Sequence, residues 1–143
     1  MSGLFPRILR IHQWIYEHSD GLAGHRLLFG NPTLLLRTAG RRTGLLRTTA
    51  LTYVHDGDDY LVVASNGGRA KPPTWLANLK THSDCEIQVG RARHRVIARP
   101  TLPDDPDYAR RWTITDTNNK GRYTQYQKMT QRPIAIVELR PTS

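Results

Sequence analysis

The fold class this sequence predicts is α+β, mainly β: a split antiparallel β-barrel of about six strands with flanking helices. Three observations lead to it. Short runs rich in apolar and β-branched residues recur along the chain. Turn-forming residues sit between them at hairpin spacing. No strand–helix–strand alternation of the dinucleotide-binding kind is present.

The elements follow in order. In residues 4–18, Leu4, Ile8, Ile11 and Ile15 recur at helical spacing, with Arg7 and Arg10 off that stripe. This predicts a basic amphipathic helix ended by Asp20-Gly21, within an N-terminal helical segment over residues 1–30. Residues 33–38, after Asn31-Pro32, form an apolar run that reads as a buried strand. Residues 47–54 read as a second strand. Residues 60–64 read as a third that pairs back on it through the Asp56-Gly57-Asp58-Asp59 turn. A glycine- and proline-containing loop over 65–73 leads into a short helix at 74–80, capped at Thr74 or a neighbour. Residues 86–89 and 94–98 form a hairpin around Gly90-Arg91. Asp105-Pro106 marks a helix start, and that helix runs through Trp112. One more helical turn falls at 123–129, and a strand at 134–139 closes the chain.

Length and composition suit one folded domain spanning residues 1–143: 38% of residues are hydrophobic and 23% charged. The single cysteine, Cys85, excludes an internal disulfide and points to a reducing compartment. Charged residues interrupt any secretory core near the N-terminus, and no stretch is apolar enough to span a bilayer, so a cytoplasmic location is expected. The net charge of +9 attracts anions, whether nucleic acid, a membrane face or a phosphorylated or polycarboxylate ligand. No aromatic-basic interleaving of the RNA-binding kind accompanies it, so no nucleic-acid partner is expected. His82 and Cys85 have the spacing of half a metal site without a second half, and no metal is expected.

Two segments carry chemistry. In the first, Gly40-Arg41-Arg42-Thr43-Gly44-Leu45-Leu46-Arg47-Thr48, two glycines flank arginines and a hydroxyl between two strands. Glycine lets the backbone bend and present its N–H groups, and arginine offers a fork that matches phosphate or carboxylate oxygens. The alternative is a solvated basic turn. In the second, Ala64-Ser65-Asn66-Gly67-Gly68 leads through Lys71 and Pro73 to Thr74-Trp75 and Asn78-Leu79. A strand there feeds a glycine loop and then a helix, on which Trp75 and Asn78 share one face. A Walker A loop is excluded, because no glycine-lysine-serine/threonine run follows.

Together these segments resemble the F420-dependent deazaflavin nitroreductase and quinone reductase family, an actinobacterial group with a split β-barrel fold. The resemblance runs from about residue 32 to residue 90 and continues more weakly to the last strand. It implies that Arg41, Arg42, Thr43 and Arg47, with Lys71, hold the phosphate and glutamate tail of coenzyme F420, an 8-hydroxy-5-deazaflavin. It implies that Thr48, Thr49, Ala50, Leu51, Thr52 and Tyr53 form the strand beside the ring. Val63, Ala64, Ser65 and Asn66 then meet the ring edge, and the helix with Thr74, Trp75 and Asn78 covers the site. Tyr123 and Tyr126 match tyrosines that line the acceptor pocket. Departures from the family pattern are Asn66, where lysine is frequent, Ala50, where proline is frequent, and Asn118-Asn119-Lys120, where some members place a further tyrosine.

The implied activity is hydride transfer from reduced F420 to a quinone, nitroaromatic or enone-type acceptor, with Ser65, Tyr123 and Tyr126 as the catalytic candidates. Ser65 or Tyr126 is the candidate proton donor, although Ser65 also suits a hydrogen bond to the ring and Tyr126 a packing role. Three alternatives stay open at this point: a non-catalytic F420 carrier, a flavin-mononucleotide (FMN) oxidoreductase on the same barrel, and peripheral membrane contact through the N-terminal helix. A monomer and a homodimer are equally consistent with the sequence.

Overall fold

The chain puts the two edges of one sheet next to each other in sequence, and this curls the sheet into a half-barrel. The computed structural model describes residues 31–142. The expected N-terminal helix lies outside the described residues. Seven strands follow one another: β1 (Thr33–Ala39), β2 (Leu46–Thr52), β3 (Val54–Asp56), β4 (Asp59–Val63), β5 (Asp84–Val89), β6 (Ala92–Thr101) and β7 (Ile136–Pro141). They form one antiparallel sheet in the order β2-β1-β5-β6-β7-β4-β3. Its two outer strands, β2 and β3, are separated in the chain by Tyr53 alone. A sheet whose outermost strands are joined by one residue has to curl until they meet. The expected second strand is therefore two strands around a corner. Tyr53 makes that corner, with its N–H donating to the Pro32 carbonyl at 3.2 Å and its carbonyl accepting from Asn118 Nδ2 at 3.3 Å. The pairing expected between the second and third strands falls to β3 and β4, with Asp56 opposite Asp59 across the Gly57-Asp58 turn.

β1 lies inside the sheet between β2 and β5, which explains its unbroken apolar run. Leu34 and Leu36 enter the main core, while Leu35 packs with Ala50 on the other face. The main core also holds Val62, Leu79, Ile87, Val96, Val137 and Leu139. Helix α1 (Thr74–Thr81) contributes Trp75, Leu76 and Leu79 to it. Its N-cap is Pro73, the neighbour of Thr74, and it offers no side-chain bond.

A second core packs helices α2 (Tyr108–Asn118) and α3 (Arg122–Gln127) against β4 and the start of the last strand through Leu61, Val63, Tyr108, Tyr123, Ile134 and Ile136. The expected helix start at Asp105 is corrected to Tyr108, with Asp107 as N-cap. Asp105 is already committed: its carboxylate accepts from the Asp107 N–H and from Arg99 Nη1, both at 2.9 Å. α2 is tied to the barrel by charge. The buried Arg111 donates to Asp56 at 2.8 Å and to Glu138 at 2.7 Å, and Arg99 adds a bond to Glu138 at 3.0 Å. Burial works against the ionised Glu138, and the bonds from Arg99 and Arg111 outweigh it, holding its carboxyl below the ordinary range.

Candidate functional site

The 40–47 loop is built by its glycines and by one hydroxyl. Gly40 N–H donates to the Leu45 carbonyl and Gly44 N–H to the Gly40 carbonyl, both at 2.8 Å. Gly44 sits at φ +71°, where a side chain would be strained. Thr43 Oγ1 accepts from the Leu45 N–H at 3.2 Å, and a Cβ at Gly40 would lie 2.9 Å from that oxygen. The bend is therefore as tight as the residues permit. Asn78 of α1 braces it from below. Its Oδ1 accepts from the Arg41 N–H at 3.0 Å, and its Nδ2 donates to Thr38 Oγ1 at 3.3 Å. Asn78 is 3% exposed, so both ends of its amide are satisfied within the protein.

Facing this loop is the segment after β4. Asn66, Gly67 and Gly68 form a 3-10 turn in which all three φ angles are positive, at 46°, 64° and 80°. Asn66 occupies that region because a short polar side chain tolerates it and can close the loop. Its Nδ2 donates to the Lys71 carbonyl at 2.9 Å. At Gly68 a Cβ would come within 2.7 Å of the Tyr126 carbonyl, so α3 is docked directly on this turn.

Between the two segments and α1 lies a cleft of about 730 Å³. Of the residues expected from the sequence, Arg41, Arg42, Thr43, Arg47, Thr48, Thr49, Asn66, Thr74, Trp75 and Asn78 line it. Gly40, Arg69, Pro72 and Pro73 line it as well, though none of them was expected to contact the coenzyme. Arg69 carries a sequence signal, since it follows the glycine pair directly. Lys71 is exposed beside the cleft rather than in its wall.

The other expected residues lie elsewhere. Ala50 pairs with Leu35 behind β2, and Tyr53 enters the main core beside His55 and Tyr60. Leu51 and Thr52 are half-buried on β2 away from the cleft wall. Val63 and Ala64 are buried in the cores. Ser65 is 9% exposed, and its hydroxyl has no hydrogen bond among the described residues. Tyr123 is 6% exposed within the second core, and burial pushes its phenol well above the ordinary tyrosine range. Tyr126 is half-buried, with its ring centroid 6.4 Å from that of Tyr123.

What marks the cleft is that several cations without partners are gathered in one place. The guanidinium groups of Arg41, Arg42, Arg47 and Arg69 have no hydrogen bond or ion pair among the described residues, nor do the Arg42 and Thr43 amides. By contrast, Arg37, Arg95, Arg99, Arg110, Arg111 and Arg140 are committed to carboxylates. Uncommitted cations and amides around an apolar Trp75 wall suit a ligand that is anionic at one end and flat and apolar at the other. A second hollow of about 460 Å³, lined by Tyr108, Trp112 and Lys128 among others, has no such cluster of cations. Among the described residues no group of His, Cys, Asp or Glu is placed to hold a metal ion. Cys85 is buried, which pushes its thiol up to about 12 and keeps it unreactive. No helix among the described residues is long and apolar enough to cross a membrane.

Comparison with known proteins agrees with this chemistry. The model of the F420H(2)-dependent quinone reductase family matches residues 8–141. The chain is 51% identical over 133 residues to an F420H(2)-dependent quinone reductase of Mycobacterium tuberculosis, a match covering 93% of this chain and 89% of that relative. Among solved structures it is similar to one described as an F420-H2 dependent reductase (FDR-A), with a TM-score of 0.68 and 28% identity, covering 76% of this chain and 93% of that one. It is also similar to a chain described as a domain-swapped dimer, with a TM-score of 0.69 and 25% identity, covering 89% of this chain and 97% of that one.

Proposed function

Because this chain belongs to the F420H(2)-dependent quinone reductase family, and is with it an F420-using oxidoreductase, we propose that the cleft between the 40–47 loop and α1 holds the coenzyme and that a quinone is the acceptor. Membership sets aside the FMN and non-catalytic carrier readings. The observation that carries the proposal is the set of uncommitted guanidinium groups on a glycine-bounded bend, next to an apolar wall.

In this reading Arg41, Arg42 and Arg47 grip the phosphate and carboxylates of the tail, with Arg69 and Lys71 adding charge at the opposite rim. Each charge-assisted bond contributes roughly 1.5–3 kcal/mol, so three of them reach only millimolar to sub-micromolar affinity before ordering costs. The tail alone is therefore insufficient, and Trp75, Thr48 and Thr49 supply the walls that bury the ring. When bound, reduced F420 supplies the hydride. The protein's part is to fix the ring edge, with the unpartnered Ser65 hydroxyl as the candidate hydrogen-bonding group or proton source. Tyr126 takes the acceptor side in this proposal, while the buried Tyr123 packs behind it. The match to a chain described as a domain-swapped dimer supports a homodimer, which light scattering of the purified protein checks.

The test is the dissociation constant for F420 by isothermal titration calorimetry. Replacing Arg41 and Arg47 together by alanine is expected to weaken binding by roughly a hundredfold or more, from the loss of two charge-assisted bonds. Unchanged affinity in that double variant overturns the tail assignment.

A further inference from the structure

Among the described residues, Arg132 stands out because its guanidinium is committed to three backbone carbonyls. Arg132 lies in the segment between α3 and β7. Its Nε donates to the Arg69 carbonyl at 3.0 Å, Nη1 to the Ala64 carbonyl at 3.2 Å and Nη2 to the Ser65 carbonyl at 2.8 Å. Among the described residues it has no carboxylate partner. Burial lowers its pKa, yet it stays a cation, because a guanidinium starts far above neutrality.

The three carbonyls converge on one point because the chain between them reverses through Asn66, Gly67 and Gly68 in left-handed conformation. Carbonyl dipoles aimed at a common point repel one another, and a planar fork of N–H groups is the side chain that can accept all three.

Arg132 is itself held in place. Gln127, the last residue of α3, donates from Nε2 to the Arg132 carbonyl at 2.8 Å and to the Thr130 carbonyl at 3.3 Å. Its Oε1 accepts from the Ile134 N–H at 3.0 Å. The helix that bears Tyr126 thus sets the segment whose guanidinium grips the loop bearing Ser65, Asn66 and Arg69.

We propose that Arg132 is a positioning residue of the coenzyme site, fixing the 64–69 loop so that Asn66 and Arg69 line the cleft and Ser65 meets the ring edge. The inference rests on the reading of the cleft as the coenzyme site. Lysine cannot replace Arg132, because one ammonium does not reproduce the fork that spans three carbonyls.

The test compares wild type, Arg132→Ala and Arg132→Lys in three measurements. The first is amide hydrogen exchange of the coenzyme-free protein. Both variants are expected to exchange faster across residues 64–70, while the β5–β6 hairpin stays as protected as in wild type. The second is the F420 dissociation constant, expected to rise about tenfold or more in both variants through loss of charged hydrogen bonds. The third is rescue: guanidinium chloride, far below denaturing concentration, is expected to restore part of the affinity of Arg132→Ala but not of Arg132→Lys.

A loop whose exchange is unchanged in both variants overturns the proposal. So does a loosened loop with wild-type F420 affinity, which reduces Arg132 to a structural prop. If Arg132→Ala fails to fold, the exchange and affinity of Arg132→Lys decide in the same way. Failure of wild type to bind F420 overturns the reading of the cleft, and the inference with it. Failure of the Arg132 variants alone to differ from wild type leaves that reading standing.

Discussion

Asn78 would support the proposed coenzyme site by bracing other residues of the protein. Its amide is spent on the Arg41 N–H and the Thr38 hydroxyl, and it is 3% exposed. Truncation to alanine leaves the buried Thr38 hydroxyl and the Arg41 N–H without these partners. Such losses cost about 1–3 kcal/mol. Asn78→Ala is therefore expected to lower the melting temperature and also to weaken F420 binding, although no cation has been removed. Calorimetry on the folded variant separates the two effects, and wild-type affinity in a destabilised variant refutes the brace. Asn78 was legible in the sequence as a residue on the covering helix, but its role was not, because its partners lie 37 and 40 positions away. Asn66 stands where lysine is frequent in the family the sequence resembles. The structure adds the reason for asparagine: a φ of 46° and a bond to the Lys71 carbonyl. Arg132 was not legible at all. An arginine between glutamine and proline reads as a solvated turn, and nothing local says that it reaches carbonyls more than sixty residues upstream.

Among the elements, those decided by local pattern were readable and those decided by distant partners were not. The apolar run of β1, the two-residue turns at Gly57-Asp58 and Gly90-Arg91, and α1 all follow from composition and spacing. The break between β2 and β3 does not, because Tyr53 is as good a strand former as its neighbours and the corner is set by Pro32 and Asn118. α2 gives the sharpest contrast. The pair Arg110-Arg111 looks like a solvated stripe, yet Arg111 is 6% exposed and bonded to Asp56 and Glu138. That makes α2 an element riveted to β3 and β7 by one side chain. Arg111→Ala is expected to destabilise the fold by about 3 kcal/mol, since it leaves the buried Glu138 and the half-buried Asp56 each short of a partner. Arg110→Ala, at an exposed pair with the same Asp56, is expected to cost less than about 1 kcal/mol. Urea unfolding of the two variants side by side checks this. Equal losses contradict the assignment of the tie to Arg111.

For the whole molecule, with its net charge of +9, the cleft arginines and the Arg111–Glu138 pair differ in their sensitivity to the medium. The cleft arginines are exposed and uncommitted, so their hold on an anion is screened within roughly 10 Å at 0.1 M salt. The Arg111–Glu138 pair is buried and largely escapes that screening. Salt is therefore expected to weaken F420 binding severalfold while leaving the melting temperature nearly unchanged. Acid does the reverse. Asp56 is held below the ordinary carboxylate range by its bond from Arg110 and, more weakly, by that from Arg111. Glu138 is also held low, by its arginine bonds against the opposing effect of burial. A carboxyl with a depressed folded-state pKa contributes stability that is present above its unfolded value and lost as pH falls through its folded value. Unfolded carboxylates titrate near about 4, so stability is expected to hold from neutrality down to about pH 5 and then to fall steeply below pH 4. The alkaline side has the opposite sign. Burial raises Tyr108 to about 12 and Cys85 to about 12, so both stay neutral in the folded chain. Their contribution is full below the unfolded values, near about 8.5 for cysteine and 10 for tyrosine, and is lost as pH climbs toward 12. Thermal melts from pH 2 to pH 12 at two salt concentrations read both limbs. Replacing Glu138 by glutamine is expected to flatten the acid limb and lower the plateau, while Tyr108→Phe flattens only the alkaline one. A melting temperature that stays level from pH 7 to pH 3 contradicts the Glu138 network as the source of acid sensitivity.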